Sequence, residues 1–198
     1  MGHSVQLVVG RNDAVARFLR DWPGTRAIAL LGEWQAIPVE DGLGEAIAAR
    51  WPEAKRPEQL DMSPPGMSEA LAAATSGSGG LAYVETDYWG GSGGQSAMAW
   101  LDGREVLAPA RATGAAGPIN SALRAIGVKR SEEADEFDTI GLGLRRSMSD
   151  YEPEGPVRLR GATPALDETT REQTLPVWAV LMLIAAFIGL GVAIAMMR

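Results

Sequence analysis

Leu175 to Met197 is an unbroken run of 23 residues without a charged side chain, LPVWAVLMLIAAFIGLGVAIAMM, followed by Arg198. At 1.5 Å of rise per residue, a helix over this run is about 34 Å long, enough to cross a hydrocarbon core of roughly 30 Å. A buried core helix would not need so long a run, and a surface helix would show a polar face, which this run lacks. The spacing therefore predicts one transmembrane helix over 175–197. Trp178 falls where an interfacial aromatic belongs, and Pro176 in the first turn, where its missing N–H costs least.

Arg158, Arg160 and Arg171 precede the run, and only Arg198 follows it. The N-terminus, MGHSVQLVVGRND, lacks the basic and long apolar regions of a signal peptide. Together these predict a tail-anchored, single-pass protein of the inner membrane, with its soluble domain on the cytoplasmic side. Ala185, Gly189 and Ala193 recur every four residues, which allows two such helices to approach closely as a homodimer.

The region ahead of the anchor carries 17 basic and 25 acidic residues, a net charge of −8. Such a domain is repelled by phosphate backbones, so nucleic acid is not an expected partner, and membrane attachment must come from the anchor. There is no cysteine, which excludes disulfides and thiolate chemistry. Sixteen of the 18 basic residues are arginine, and with abundant Ala and Gly this points to a GC-rich bacterial coding sequence.

The expected fold is α+β, with a mostly antiparallel sheet, flanking helices and the C-terminal transmembrane helix. The expected domains are a soluble one over 1–151, a linker over 152–174 and the span over 175–197. Val5–Val9 reads as a strand, and Asp13 as the cap of a helix to about Trp22. Arg26–Leu31 and Trp34–Val39 read as strands around a Gly32-Glu33 turn. Asp41 reads as the cap of a helix over 42–51, and 68–75 as a third helix. Leu81–Trp89, Gln95–Leu101 and Arg104–Ala108 read as an antiparallel meander, with Gly90–Gly94 as a loop and Asp102-Gly103 as a type I′ turn. A helix from Pro118 to about Ile126 and a short acidic one over 131–138 complete the reading.

Few residues offer chemistry. His3 is the one histidine, so Ser-His-Asp catalysis and His-rich metal sites are improbable, and no metal or cofactor is expected. Glu85 and Asp87 lie two apart in a strand and share a face. They could form an acid–base pair, sit on a solvated sheet face, or, for Glu85, pair with Arg145 or Arg146. The glycine-rich segment Tyr88, Trp89, Gly90, Gly91, Gly93, Gly94 and Gln95 is a candidate binding edge, although no helix follows it as in phosphate loops. Arg145 and Arg146 are a candidate clamp for a phosphate or carboxylate, or a surface pair for the acidic run 132–138.

The pieces LAYVETDYWGGSGGQSAMAW, GPINSALRAIGV and DEFDTIGLGLRR resemble, in that order, a set of uncharacterised bacterial proteins. Those carry a YxExxYxGGxGxQ strand-loop-strand, an INxALRxLGV helix and a DEFxxxGLxxxR segment. Tyr88-Trp89 stands where Tyr-Phe is more usual in that set. The resemblance covers roughly 81–146 and implies a common fold, with a recognition surface near the glycines and no catalytic residue. The expected function is thus a non-enzymatic, membrane-anchored protein-binding domain of adaptor, regulatory or immunity type. The alternative is a membrane-tethered hydrolase using Glu85 and Asp87.

Overall fold

The computed structural model describes residues 2–90, 92–113 and 117–152. Its elements are β1 (His3–Arg11), α1 (Asn12–Asp21), β2 (Ile28–Ala29), β3 (Trp34–Pro38), α2 (Asp41–Arg50), α3 (Met67–Thr75), β4 (Gly80–Trp89), β5 (Ser92–Leu101), β6 (Arg104–Ala112), α4 (Pro118–Ala125) and α5 (Glu136–Thr139). Short 3-10 turns follow at Leu142–Leu144 and Met148–Tyr151. The six strands form one sheet in the order β2-β3-β1-β4-β5-β6, and every neighbouring pair is antiparallel. The α+β class and the β4-β5-β6 meander are as the sequence leads one to expect.

Helices cover both faces of the sheet, and β4 shows why. Its two parities are both apolar: Ala82 and Val84 point to one side, Leu81 and Tyr83 to the other, and all four are buried. A strand apolar on both sides needs cover on both. Ala82 and Val84 join Val5, Leu7 and Ala97 in a core closed by Ile119 and Leu123 of α4 and by Tyr151. Leu81 and Tyr83 join Val8 and Met98 in a second core beneath Val15 and Phe18 of α1, Ile47 of α2 and Leu71 of α3.

Several boundaries differ from expectation. Asp13 and Asp41 do not cap their helices; Arg11 and Glu40 hold the cap positions, without a side-chain hydrogen bond. Both acids instead lie in the first turn, where they favour the positive end of the helix dipole. The strand before Gly32 shrinks to Ile28–Ala29, which pair in register with Ala36 and Gln35 of β3, while Leu30 adds a single hydrogen bond to the Trp34 carbonyl at 2.9 Å. The acidic helix shrinks to Glu136–Thr139 and is capped by Asp135, which accepts from the Asp138 N–H.

The largest correction concerns the glycines. Gly93 and Gly94 belong to β5 and pair with Tyr88 and Asp87, and the pairing runs on to Trp89 and Ser92, so the glycines expected as a five-residue loop are largely strand. Gly91 itself lies outside the described residues. The type I′ turn at Asp102-Gly103 forms as expected, with φ of 50° and 78°.

Among the described residues no helix is long and apolar enough to cross a membrane. The expected span over 175–197, its small residues Ala185, Gly189 and Ala193, and the expected linker from 153 to 174 lie outside the described residues.

Candidate functional site

Glu85 is 2% exposed and sits in the second core's face of the sheet, opposite Gln6 of β1 and Ser96 of β5. Its partners come from the segment between α2 and α3. The Asp61 N–H donates to Oε1 at 2.7 Å and the Met62 N–H to Oε2 at 3.0 Å. The Tyr83 hydroxyl donates to Oε2 at 2.9 Å. Arg56 braces the same segment by donating to the Ser63 and Asp61 carbonyls at 2.6 and 2.7 Å. An Asp61–Arg111 ion pair ties it to β6. The carboxylate therefore works as a peg on which the segment from 52 to 66 hangs.

Burial pushes the Glu85 carboxyl above its ordinary range, and the hydrogen bonds from Tyr83, Met62 and Ser96 pull it only part of the way back. The Tyr83 hydroxyl is driven up by the same burial and by the neighbouring carboxylate.

Asp87 shares the strand face but is exposed. The expected carboxylate pair is thus one buried peg and one solvated acid. Nor does Glu85 meet Arg145 or Arg146. Arg145 donates to the Ala29 carbonyl at 3.2 Å and lies 5.2 Å from the centre of the Tyr151 ring, whose core is on the other side of the sheet. The alternative pairing with the acidic run 132–138 is likewise not what Arg145 makes. The backbone N–H of Arg146 donates to Asp150 at 2.7 Å, and its carbonyl accepts from Ser4 at 2.8 Å.

The first core's face gathers the motif residues. Gln95 is 7% exposed, and its side-chain oxygen accepts from the Ile119 N–H at 3.4 Å, at the start of α4. A methyl group on Gly117 would fall on the Gln95 side chain, so the glycine makes room for it. The next residue of α4, Asn120, donates to Asp135 at 2.8 Å and accepts from the Phe137 N–H at 2.9 Å. Arg124 donates to Glu136 at 2.7 Å. The three sequence segments that stand out by their pattern are therefore locked to one another. Their polar residues hold β5, α4 and α5 together.

Glu136 is 2% exposed. Burial pushes its carboxyl up, and hydrogen bonding and charge from Arg124 more than offset this, leaving it below the ordinary range. A carboxyl lowered in the fold stabilises above its unfolded value, and that contribution is lost as the pH falls through the folded value. Replacing Arg124 with Ala should cost about 1–2 kcal/mol near neutral pH, the lower end for a buried pair because the arginine is largely exposed. Urea unfolding at pH 7 and at pH 4 should show the difference between wild type and variant shrinking in acid.

His3, the one histidine, is absorbed into the same face. Its Nδ1 lies 2.6 Å from the Thr86 hydroxyl and its ring 5.5 Å from Phe137. Burial holds its pKa below the ordinary value. Among the described residues no group of three His, Asp or Glu side chains gathers as a metal site.

What remains outward-facing is small. Trp89 is 82% exposed, at the last paired position of β4. Leu31 and Leu144 are 52% and 78% exposed and flank Gly141 together, a pair that nothing in their local sequence announced. A cleft of about 410 Å³ opens between the end of α1 and the start of α2, lined by Trp22, Arg26, Pro38, Glu40, Leu43 and Ala46 among others. Neither Glu85 nor Asp87 lines it. Comparison with protein-family models, curated proteins and solved structures finds no match to this chain.

Proposed function

We propose that this chain is a non-enzymatic, membrane-tethered domain that holds a protein partner at the cytoplasmic face of the inner membrane, in the manner of an adaptor, regulator or immunity protein. The tether is the uncharged run 175–197. The observation that carries the non-enzymatic reading is the Glu85 carboxylate, whose oxygens are taken by two backbone N–H groups and a tyrosine hydroxyl. A general acid or base must present a proton-transfer edge to substrate, and this one is turned inward. The hydrolase alternative would also need Asp87 beside it in a pocket, and Asp87 stands in solvent.

Leu31 and Leu144 supply the partner-facing surface, with Arg145 at its edge. Two exposed leucines beside an arginine form a small apolar patch with a cationic edge, a surface that a protein partner can cover. The acidic balance of the domain disfavours nucleic acid as that partner. The resemblance to uncharacterised bacterial proteins fits a shared scaffold, since its polar motif residues are spent inside the fold.

Two measurements test this. Full-length protein should sediment with membranes and stay there in alkaline carbonate, while protein lacking 175–198 should move to the supernatant; a full-length chain released by carbonate overturns the tether. A photo-crosslinking residue at position 144 should give one discrete protein adduct in intact membranes, and Leu31→Glu should remove it. Should two copies associate through Ala185, Gly189 and Ala193, Gly189→Ile should abolish crosslinked dimers in detergent, and dimers that persist would refute the contact.

A further inference from the structure

His3 opens β1 and sits against the turn that carries Leu144 and Arg145. Its Nδ1 lies 2.6 Å from the Thr86 hydroxyl of β4, and its ring is 5.5 Å from that of Phe137 in α5. The next residue fastens the turn to the sheet. The Ser4 N–H donates to the Arg146 carbonyl at 2.8 Å, and Ser4 pairs in parallel with Ser147. Leu144 and Arg145 stand immediately before this attachment. On their other side the Leu31 N–H donates to the Ile140 carbonyl at 3.0 Å, and Arg145 donates to the Ala29 carbonyl at 3.2 Å. The turn is therefore held at two places, and one of them is the first two residues of β1.

The imidazole has a partner for one nitrogen only. Nε2 is buried and makes no hydrogen bond. Whichever tautomer the neutral ring holds, the imidazolium has two N–H donors, and the Thr86 hydroxyl serves one of them. Protonation thus leaves a buried, charged donor without an acceptor, a cost that is relieved when the ring reaches water. Of the charges facing the ring from the following turns, Arg146 opposes a positive ring and Asp150 favours one. On α5 the acids beside Phe137 are Glu136, held by Arg124, and the exposed Asp138. On β4 the nearest acid is Asp87, opposite Ser4 and exposed.

We propose that His3 is a protonation-sensitive latch on the turn that presents Leu144 and Arg145, closed by the neutral ring and opened by the imidazolium. Its consequence for a partner rests on the reading of Leu31 and Leu144 as the partner-facing surface; the latch itself rests on the contacts of His3 and Ser4. Burial is the largest influence on the ring and outweighs the Leu142 and Arg145 backbone and Asp150, which favour the cation. A histidine held below its ordinary value of about 6.5 stabilises the fold above that value, and the contribution is lost as the pH falls through the folded one. The latch is therefore closed at neutral pH and opens in mild acid. Opening asks little of the sheet, because the β1–β4 pairs from Val5 with Thr86 to Gly10 with Leu81 lie beyond it.

One histidine and no cysteine make the test direct. The full-length protein in detergent micelles gives one imidazole signal by NMR, and Leu144→Cys takes one fluorophore at an exposed position. As the pH is lowered from about 7.5 to about 5, the imidazole should titrate below about 6.5, and the anisotropy of the label should fall along the same curve. His3→Asn keeps a hydrogen-bonding side chain for Thr86 and takes up no proton, so its label should hold a constant anisotropy over that range. An anisotropy that ignores the imidazole titration, or that falls as far in His3→Asn, overturns the latch. Photo-crosslinking from position 144 in isolated membranes tests the consequence. The adduct should weaken several-fold at about pH 5 in the native background and persist in His3→Asn. An adduct unchanged in acid overturns the link between latch and partner. An anisotropy that follows the imidazole, with no adduct at either pH, overturns the partner surface and leaves the latch standing.

Discussion

Replacing Glu85 with Gln should lower the stability of the folded domain by about 3 kcal/mol near neutral pH, seen as a fall of about 10 °C in Tm. The amide is nearly isosteric, so the loss is one of hydrogen-bond polarity. Whichever way the amide is turned, its NH2 group meets a backbone N–H: that of Asp61 on one side or of Met62 on the other. One buried donor is left without an acceptor, at about 1–3 kcal/mol, and a charge-assisted bond of about 1.5–3 kcal/mol is lost. The segment from 52 to 66 should become protease-sensitive before the rest of the domain, because Glu85 is its attachment to the sheet.

The pH dependence has a definite sign. The Glu85 carboxyl is raised in the fold, so its contribution is fully present below the unfolded carboxylate value and declines as the pH rises through the folded one. The variant has no such titration. Its deficit relative to wild type should therefore grow as the pH is lowered from 7 toward 5. A variant with unchanged or higher Tm and abolished function would instead support the hydrolase reading.

Gly93→Ala should be comparably damaging, at about 3 kcal/mol, and its damage should be local to the hairpin. Gly93 has a φ of 147°, a backbone state that side chains strain to adopt, and a methyl group there would fall on the Asp87 carbonyl and the Tyr88 backbone. Backbone cannot step aside as a side chain can, so the Tyr88–Gly93 pairing must open. Hydrogen exchange should speed up over residues 86–95 while the β1–β3 pairing stays protected. Gly94→Ala is the control: its added methyl group would touch its nearest neighbour, the Ala112 carbonyl, at 3.5 Å, an ordinary contact. An equal loss from both substitutions would refute the argument from the Gly93 backbone.

Period-two alternation in LAYVETDYW gave the strand and its two faces, and the Asp102-Gly103 pair gave the next turn. These are short-range patterns, and short-range physics sets them. The glycine segment misled because glycine is common both in loops and where strands approach closely; only the pairing of Gly93 with Tyr88 tells the two apart. The helix starts misled in a similar way. Asp13 and Asp41 are good caps by type, yet the caps fall at Arg11 and Glu40, so α1 begins two residues and α2 one residue earlier than an aspartate cap would allow.

Site residues were legible as types and not as roles. Glu85 and Asp87 share a face, as their spacing requires, but nothing in ETD says that a segment some 24 positions earlier will cover one and leave the other wet. Gln95 looked like part of a binding edge and is instead the acceptor for the first turn of α4. Leu31 and Leu144 are far apart in the chain and meet only because the 3-10 turn at 142–144 folds beside the β2–β3 connection.

By itself the sequence determined the α+β class, the β4–β5–β6 meander, the acidic balance and the poverty of catalytic groups, because composition and nearest-neighbour periodicity are properties of the chain alone. The tertiary structure decided which acid is buried, which glycine is obligatory and which apolar side chains stay exposed. Those outcomes depend on contacts between residues tens of positions apart, and the free energy of such a contact is absent from any local window of sequence.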